Sequence, residues 1–126
     1  MPGSAKDLSL EEWERVLAVN LTAPFMLTRA AMPHMRERGG GLVVNVSSAG
    51  RRGWANASAY CATKCALTGL TQALAAEGRD DGIRVCVLYP GAMSTSWGTF
   101  EPTQRVAMTM RASIVSSSMP TRETRT

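Results

Sequence analysis

Two short apolar runs with one long alanine-rich stretch between them constrain the fold of this chain most strongly. Leu42–Val46 is rich in β-branched residues, follows three glycines and precedes a pair of serines, a pattern that predicts a buried strand. Ile83–Tyr89 is a second such run, and Pro90 ends it. The stretch 57–77 has leucines at helical spacing. A strand, a helix and a strand joined by short connections predict parallel strands with a helical crossover, so the fold class is α/β.

A first helix is predicted upstream, over residues 9–37. Ser9 and Glu12 match the capping box, in which each side chain satisfies a backbone N–H group at the start of a helix. Apolar residues follow at three- and four-residue spacing, so the helix is amphipathic. Pro24 has no N–H to offer the carbonyl of Asn20. We therefore expect a kink there, around a carbonyl that a water molecule can bind.

Composition excludes several classes of function. The 126 residues suit one domain, and a net charge of +4 without a basic stripe makes a nucleic-acid partner unexpected. No apolar run approaches the ~20 residues that span a bilayer, and the N terminus lacks a signal-peptide pattern. We expect a cytoplasmic protein without membrane contact. Cys61 and Cys65 share a helix face, but with one histidine in the chain they are interpreted as small apolar residues and no metal site is expected.

Tyr60 and Lys64 carry the chemistry that the sequence suggests most directly. They are four residues apart, so on a helix they share one face. A free tyrosine has a pKa of about 10, and a neighbouring ammonium lowers that value because it favours the phenolate. The pair is therefore a reasonable general acid and base. The same spacing also occurs on solvated helix faces, so the neighbouring motifs decide its meaning.

Those neighbouring motifs resemble the short-chain dehydrogenases/reductases in order and spacing, over about residues 5–97. The elements that carry the resemblance are Asn20 within Val19–Leu21, the run Val44–Ser48, the pair Tyr60 and Lys64, and the stretch Pro90–Thr95. Each is weak alone, but all four occur in the family's order. The resemblance implies a nicotinamide-dependent oxidoreductase acting on a small-molecule alcohol or carbonyl substrate.

The resemblance also implies a role for each matching residue. Tyr60 would be the general acid and base, and Lys64 would assist it and hold the nicotinamide ribose. Asn20 would hold a water of the proton relay through its backbone carbonyl. A serine hydroxyl would polarise the substrate oxygen. The nicotinamide pocket would be lined by Pro90, Gly91 and Thr95.

The identity of that serine has two readings. Ser48 is the second serine of the pair, as the active-site serine usually is in the family, and lies 12 residues before Tyr60. Ser47 lies 13 residues before Tyr60, which is the family's usual spacing. We favour Ser48, with a one-residue deletion in the intervening loop. Ser47 would then be a strand-end residue that bonds backbone.

The chain departs from the family at both ends. It contains no glycine-rich strand–turn–helix of the kind that holds a pyrophosphate, nor the residue that selects between NAD and NADP, so either cofactor is possible. The expected fold is a partial Rossmann-type doubly wound parallel sheet whose N-terminal βαβ half is absent. Residues 1–100 would form the C-terminal part of such a domain, and residues 101–126 an atypical, partly disordered tail.

These departures leave two hypotheses for function. The first is a truncated short-chain dehydrogenase/reductase that is weakly active or inactive alone. The alternative is a non-catalytic fragment or relic. In either case a homo-oligomer is expected through helices 9–37 and 57–77, because the matching helices form the family's dimer interface. Trp54 either lines the substrate pocket or packs against the fold; the sequence favours neither.

Overall fold

The computed structural model describes residues 4–48 and 53–90. Gly91, Thr95 and the predicted tail 101–126 lie outside the described residues. The elements in chain order are α1 (Leu10–Leu17), a π-helical turn (Ala18–Thr22), α2 (Ala23–Glu37), β1 (Gly41–Val46), α3 (Ser58–Glu77), a 3-10 turn (Arg79–Asp81) and β2 (Ile83–Leu88). The predicted order of helix, strand, helix and strand is confirmed. The predicted and observed ends of these segments differ by no more than one residue.

The capping box at the start of α1 forms as predicted. The backbone N–H of Glu12 donates to Ser9 Oγ at 3.2 Å, and the Ser9 N–H donates to Glu12 Oε2 at 3.1 Å. The Ser9 N–H and the Ser9 hydroxyl both donate to the Glu12 carboxyl, and these two bonds hold its pKa below the ordinary value. The N–H groups that a helix start leaves unpaired are thereby satisfied in part.

The interruption expected near Pro24 takes the form of a π-helical turn. The helix continues from α1 into α2, but residues Ala18–Thr22 are wound more loosely, and the Ala23 N–H donates to the carbonyl of Ala18. A proline one position later cannot restore ordinary α-helical bonding, because it lacks an N–H. Asn20 lies in the middle of this turn. Single π-turns within α-helices are frequent at functional sites.

β1 and β2 pair in parallel, as the sequence predicts, from Gly41 opposite Ile83 to Val46 opposite Leu88. Their starts lie close together because two glycines meet there. A Cβ on Gly40 would lie 2.6 Å from the Gly82 carbonyl oxygen, and both glycines have positive φ. α3 therefore crosses over the sheet between two strands whose carboxyl ends lie at the same edge.

The core lies between α3 and the sheet. α3 buries one stripe of residues at four- and three-residue spacing, consisting of Ala59, Thr63, Leu67, Thr71 and Leu74. Leu74 packs with Ile83 and Val85 of β2 in one apolar cluster. A buried strand and the helix that crosses over it thus share a core, as a βαβ unit requires.

One prediction about β1 is wrong. The strand was expected to be buried, but Leu42, Val44 and Val46 are 53%, 48% and 50% exposed. The side chains that alternate with them are less exposed, Val43 being half-buried and Asn45 buried. Side chains alternate between the faces of a strand, so these three exposed residues lie on one face of β1. The composition of the strand predicts burial on both faces, which the described part of the chain does not supply.

No helix within those same ranges is long and apolar enough to cross a membrane. The cytoplasmic location stays a prediction from the sequence.

Candidate active site

The carboxyl end of β1 meets the first turns of α3, and two hydrogen bonds fix the junction. The Lys64 ammonium donates to the carbonyl of Val46, the last residue of β1, at 3.0 Å. The Ser47 hydroxyl donates to the carbonyl of Lys64 at 3.0 Å. The strand end and the helix therefore hold each other in register. In parallel sheets this edge is where ligands usually bind.

Tyr60 and Lys64 lie on neighbouring turns of α3, as their spacing predicts. Lys64 Nζ is 5.7 Å from the centroid of the Tyr60 ring. Both side chains are half-buried. Burial lowers the pKa of the Lys64 ammonium, because the charged form loses contact with water. At this distance the ammonium lies within the range of a cation–π contact with the Tyr60 ring.

The two serines after β1 have different surroundings. Ser47 is 3% exposed, and its hydroxyl is bonded to the backbone of α3. Ser48, one residue further along, is half-buried. Ser47 therefore matches the strand-end residue that bonds backbone. This contrast supports Ser48 as the serine that meets a substrate, although the spacing to Tyr60 favoured Ser47.

A hydrogen-bonded path links Asn20 in the π-helical turn to Tyr60. The Asn20 amide donates to Thr63 Oγ1 at 3.3 Å, and the Thr63 hydroxyl donates to the carbonyl of Tyr60 at 2.8 Å. Thr63 is 1% exposed. Sequence reasoning singled out Asn20 and Tyr60 but missed Thr63. Its position four residues after Ala59 and four before Leu67 marks it as a buried residue of α3, but nothing local in the sequence identifies its bond to Asn20.

Trp54 lies in the segment before α3 and stacks on Tyr60. The two ring centroids are 6.2 Å apart, and the ring planes differ by 14°. The backbone N–H of Trp54 also donates to Cys61 Sγ at 3.2 Å. The sequence left two readings for Trp54, lining of the substrate pocket or packing against the fold. In the structure the indole packs on the Tyr60 ring and so lies beside the phenol.

An open groove of about 490 Å³ runs between β1 and the first helix. Asn20 and Lys64 contribute to its lining, together with apolar side chains such as Leu27 and Val44. Pro90 follows β2 at the same edge of the sheet and is half-buried. Gly91 and Thr95, the other predicted pocket residues, lie outside the described residues.

The donor set at the junction fits the sugar of a nicotinamide cofactor. Lys64 presents an ammonium with three N–H groups, of which one donates to Val46. A cation beside a phenol suits the hydroxyl groups of a ribose. Among residues 4–48 and 53–90, no group of three His, Cys, Asp or Glu side chains is placed to hold a metal ion. Lys64 is the residue to which the family resemblance assigns the nicotinamide ribose, and the N–H groups of its ammonium fit that role.

Comparison with known proteins settles the family. The model of the family described as short chain dehydrogenase matches residues 1–106. The chain is a member of the short-chain dehydrogenases. Among its relatives is a 3-alpha-(or 20-beta)-hydroxysteroid dehydrogenase of Mycobacterium bovis, which is 41% identical over 101 residues. That alignment covers 79% of this chain and 39% of the relative. Family membership confirms the resemblance on which the sequence interpretation was based.

Solved structures of other proteins share the fold of this chain. The TT0495 protein from Thermus thermophilus superimposes with a TM-score of 0.73 at 43% identity, over 76% of this chain and 41% of that one. A candidate NAD(P)-dependent gluconate 5-dehydrogenase from Beutenbergia cavernae, with bound NADP, gives a TM-score of 0.73 at 38% identity. It is covered over 39% of its length, and this chain over 76%. The chain thus spans about two fifths of the relatives that it matches.

Proposed function

We propose that this short-chain dehydrogenase takes part in the NAD(P)-dependent interconversion of an alcohol and a carbonyl compound, with Tyr60 as the proton-transfer group. The observation that carries the proposal is the junction of β1 and α3. There Lys64 is bonded to the end of the strand and lies 5.7 Å from the Tyr60 ring. A phenol, an ammonium and a serine at the carboxyl end of a parallel strand are the groups that such chemistry needs.

Each residue has a defined part in this proposal. In reduction the Tyr60 hydroxyl gives its proton to the carbonyl oxygen of the substrate, and in oxidation it takes that proton back. The Lys64 ammonium stabilises the phenolate left on Tyr60 and binds the ribose. The Ser48 hydroxyl donates to the substrate oxygen and orients it. A nicotinamide cofactor held at its ribose by Lys64 would supply the hydride chemistry.

Asn20 and Thr63 act on Tyr60 from the side of the first helix. The bond from the Asn20 amide to Thr63, and from Thr63 to the Tyr60 carbonyl, fixes the π-helical turn against α3. A water bound at the Asn20 carbonyl, which Pro24 cannot satisfy, would lie on the route by which protons reach the site. Asn20 thus acts through its backbone, while its side chain sets the position of that backbone.

We further propose that the chain alone binds NAD or NADP weakly. Its 126 residues contain no glycine-rich strand–turn–helix to hold the pyrophosphate. Calorimetric titration of the purified chain with the oxidised and reduced forms of both cofactors tests this directly. Binding weaker than micromolar is expected for all four forms. Micromolar binding of any form would contradict it and would also identify the cofactor.

The catalytic proposal is tested by turnover in the presence of the part of a relative's fold that this chain does not cover. The chain is mixed with the segment of the Beutenbergia cavernae relative that it does not cover, and nicotinamide oxidation is followed with a panel of ketones. Tyr60→Phe should lower the rate by about 10²- to 10⁴-fold. The matched control is Tyr89→Phe, which removes the hydroxyl of the chain's other tyrosine, a group that is hydrogen-bonded to Thr68 at 2.7 Å. Equal rates for Tyr60→Phe and the unaltered chain would refute the assignment.

The second candidate function is self-association without catalysis, and the first helix favours it. Val19, Met26 and Leu27 are 64%, 50% and 72% exposed, which is unusual for apolar side chains along one helix. A second copy packing against them would bury this surface. Light scattering during size-exclusion chromatography should then give twice the mass of the chain. A monomer at high concentration would contradict the candidate.

A further inference from the structure

Trp54 is a large apolar side chain that remains partly exposed beside Tyr60. It precedes α3 and is 38% exposed, yet its indole is nearly parallel to the Tyr60 ring. Ring centroids 6.2 Å apart fall within the range of favourable aromatic pairs. Part of the indole surface is therefore covered by Tyr60, and part is open to solvent next to the phenol.

The backbone around Trp54 is fixed in this position. Gly53 and Asn56 have φ of +92° and +59°, so the chain turns sharply on both sides of the tryptophan. Asparagine adopts this left-handed conformation more readily than other residues with a side chain, so Asn56 suits the turn. Here the Trp54 N–H donates to Cys61 Sγ at 3.2 Å, and the Cys61 thiol faces the Trp54 carbonyl at 3.9 Å. Cys61 follows Tyr60 directly in α3, so the indole and the phenol are held by the same turn of helix.

We infer that Trp54 determines substrate specificity by forming a flat apolar wall beside Tyr60, which favours substrates whose carbonyl carbon is part of a ring. The inference rests on the proposed function of Tyr60. A ring laid on an indole face buries its whole surface at once, whereas an open chain must also lose conformational freedom to do so. The wall therefore discriminates between a ring and an open chain of equal carbon number.

The test compares cyclohexanone with hexan-2-one, which have the same number of carbons and one carbonyl each. Affinities for both ketones are measured by saturation-transfer NMR on the full chain, with and without NADPH. The unaltered chain should favour the ring by about tenfold, and Trp54→Ala should reduce that ratio to near one. Trp54→Phe keeps a flat ring and should keep most of the preference. Far-ultraviolet circular dichroism shows whether each variant is folded.

The outcomes separate this inference from the proposed function. A ring preference that persists in Trp54→Ala, or that is missing from the unaltered chain, overturns the role of Trp54 even where turnover depends on Tyr60. Loss of the preference in folded Trp54→Ala supports it even where no turnover is found. Where the complemented chain turns over ketones, Trp54→Ala should change the ratio of kcat/KM for the two ketones. It should have less effect on kcat for the open-chain ketone.

Discussion

The two ends of α3 rest on the sheet in different ways. At its carboxyl end Leu74 is 4% exposed and packs against Ile83 and Val85 of β2, which are 2% and 7% exposed. At its amino end the buried stripe consists of small or polar side chains, and Tyr60 and Lys64 beside it are half-buried. One helix thus combines an apolar anchor with a polar, accessible end. The anchor supplies stability, and the other end is left for groups that must meet water and substrate.

Glycines allow α3 and β2 to pack closely at the apolar anchor, the cluster formed by Leu74, Ile83 and Val85. A Cβ on Gly78, just after α3, would lie 2.9 Å from the Cβ of Ile83. Gly82 follows the 3-10 turn and has a φ of +70°. It leads the chain into β2 at a point beside the beginning of β1. At the polar end the contacts are instead single hydrogen bonds, such as that from Lys64 to Val46. Changes at the anchor should therefore affect folding, and changes at the polar end should affect chemistry.

The largest expected effect is that of Leu74→Ala. Removing this side chain leaves a cavity against Ile83, and the free energy of unfolding should fall by about 2–5 kcal/mol. Urea denaturation followed by circular dichroism measures the loss. Leu70→Ala is the matched control, because Leu70 is only partly buried at the edge of the same cluster and should cost less. An equal loss for the two variants would contradict the placement of the anchor at Leu74.

A smaller loss is expected in the middle of α3, where polar and apolar packing meet. The Asn45 amide donates to Thr71 Oγ1 at 3.0 Å, and both side chains are buried. Thr71→Val would leave that amide without this partner, at a cost of about 1–3 kcal/mol. The double variant Asn45→Val with Thr71→Val removes both polar groups and should recover much of the loss. If it is no more stable than Thr71→Val alone, the pair is not what stabilises this contact.

The sequence predicts the anchor better than the polar end. Glycines, the capping box and the leucine spacing in 57–77 are local signals, so the elements and the parallel pairing could be read before the structure was known. The hydrogen bonds of Thr63 and Thr71 could not be predicted. A threonine in an alanine-rich helix carries no local sign of a partner far away in the chain. The bond from Lys64 to Val46 joins residues 18 apart and depends on tertiary packing. The exposed face of β1 was missed for the same reason.

The serine pair sharpens the comparison at the polar end. Ser47→Ala removes a buried hydroxyl that holds α3, and should lower the free energy of unfolding by about 1 kcal/mol with little change in rate. Ser48→Ala should lower the rate of the complemented chain by about 10²-fold, with a smaller effect on stability. Thermal unfolding and nicotinamide oxidation, measured on both variants, give the two readouts. The reverse pattern would make Ser47 the catalytic serine, as its spacing to Tyr60 suggests.

Lys64→Met is expected to have the smallest effect on stability. The informative measurement is how that effect changes with pH. Burial disfavours the Lys64 ammonium while its bond to Val46 favours it, so the net change should be below about 1 kcal/mol at neutral pH. Because the pKa of Lys64 is lowered on folding, the unfolded chain binds more protons over the range up to the ordinary lysine pKa of about 10.4. Stability therefore rises with pH in that range.

The difference between the unaltered chain and Lys64→Met isolates this contribution from those of other groups. Urea denaturation at a series of pH values, from neutral to alkaline, should show the unaltered chain gaining stability relative to the variant as Lys64 loses its proton. A relative loss with rising pH would mean that the ammonium is held in the folded state by favourable partners. In that case the polar end of α3 would be a second anchor, and the contrast between the two ends of the helix would not hold.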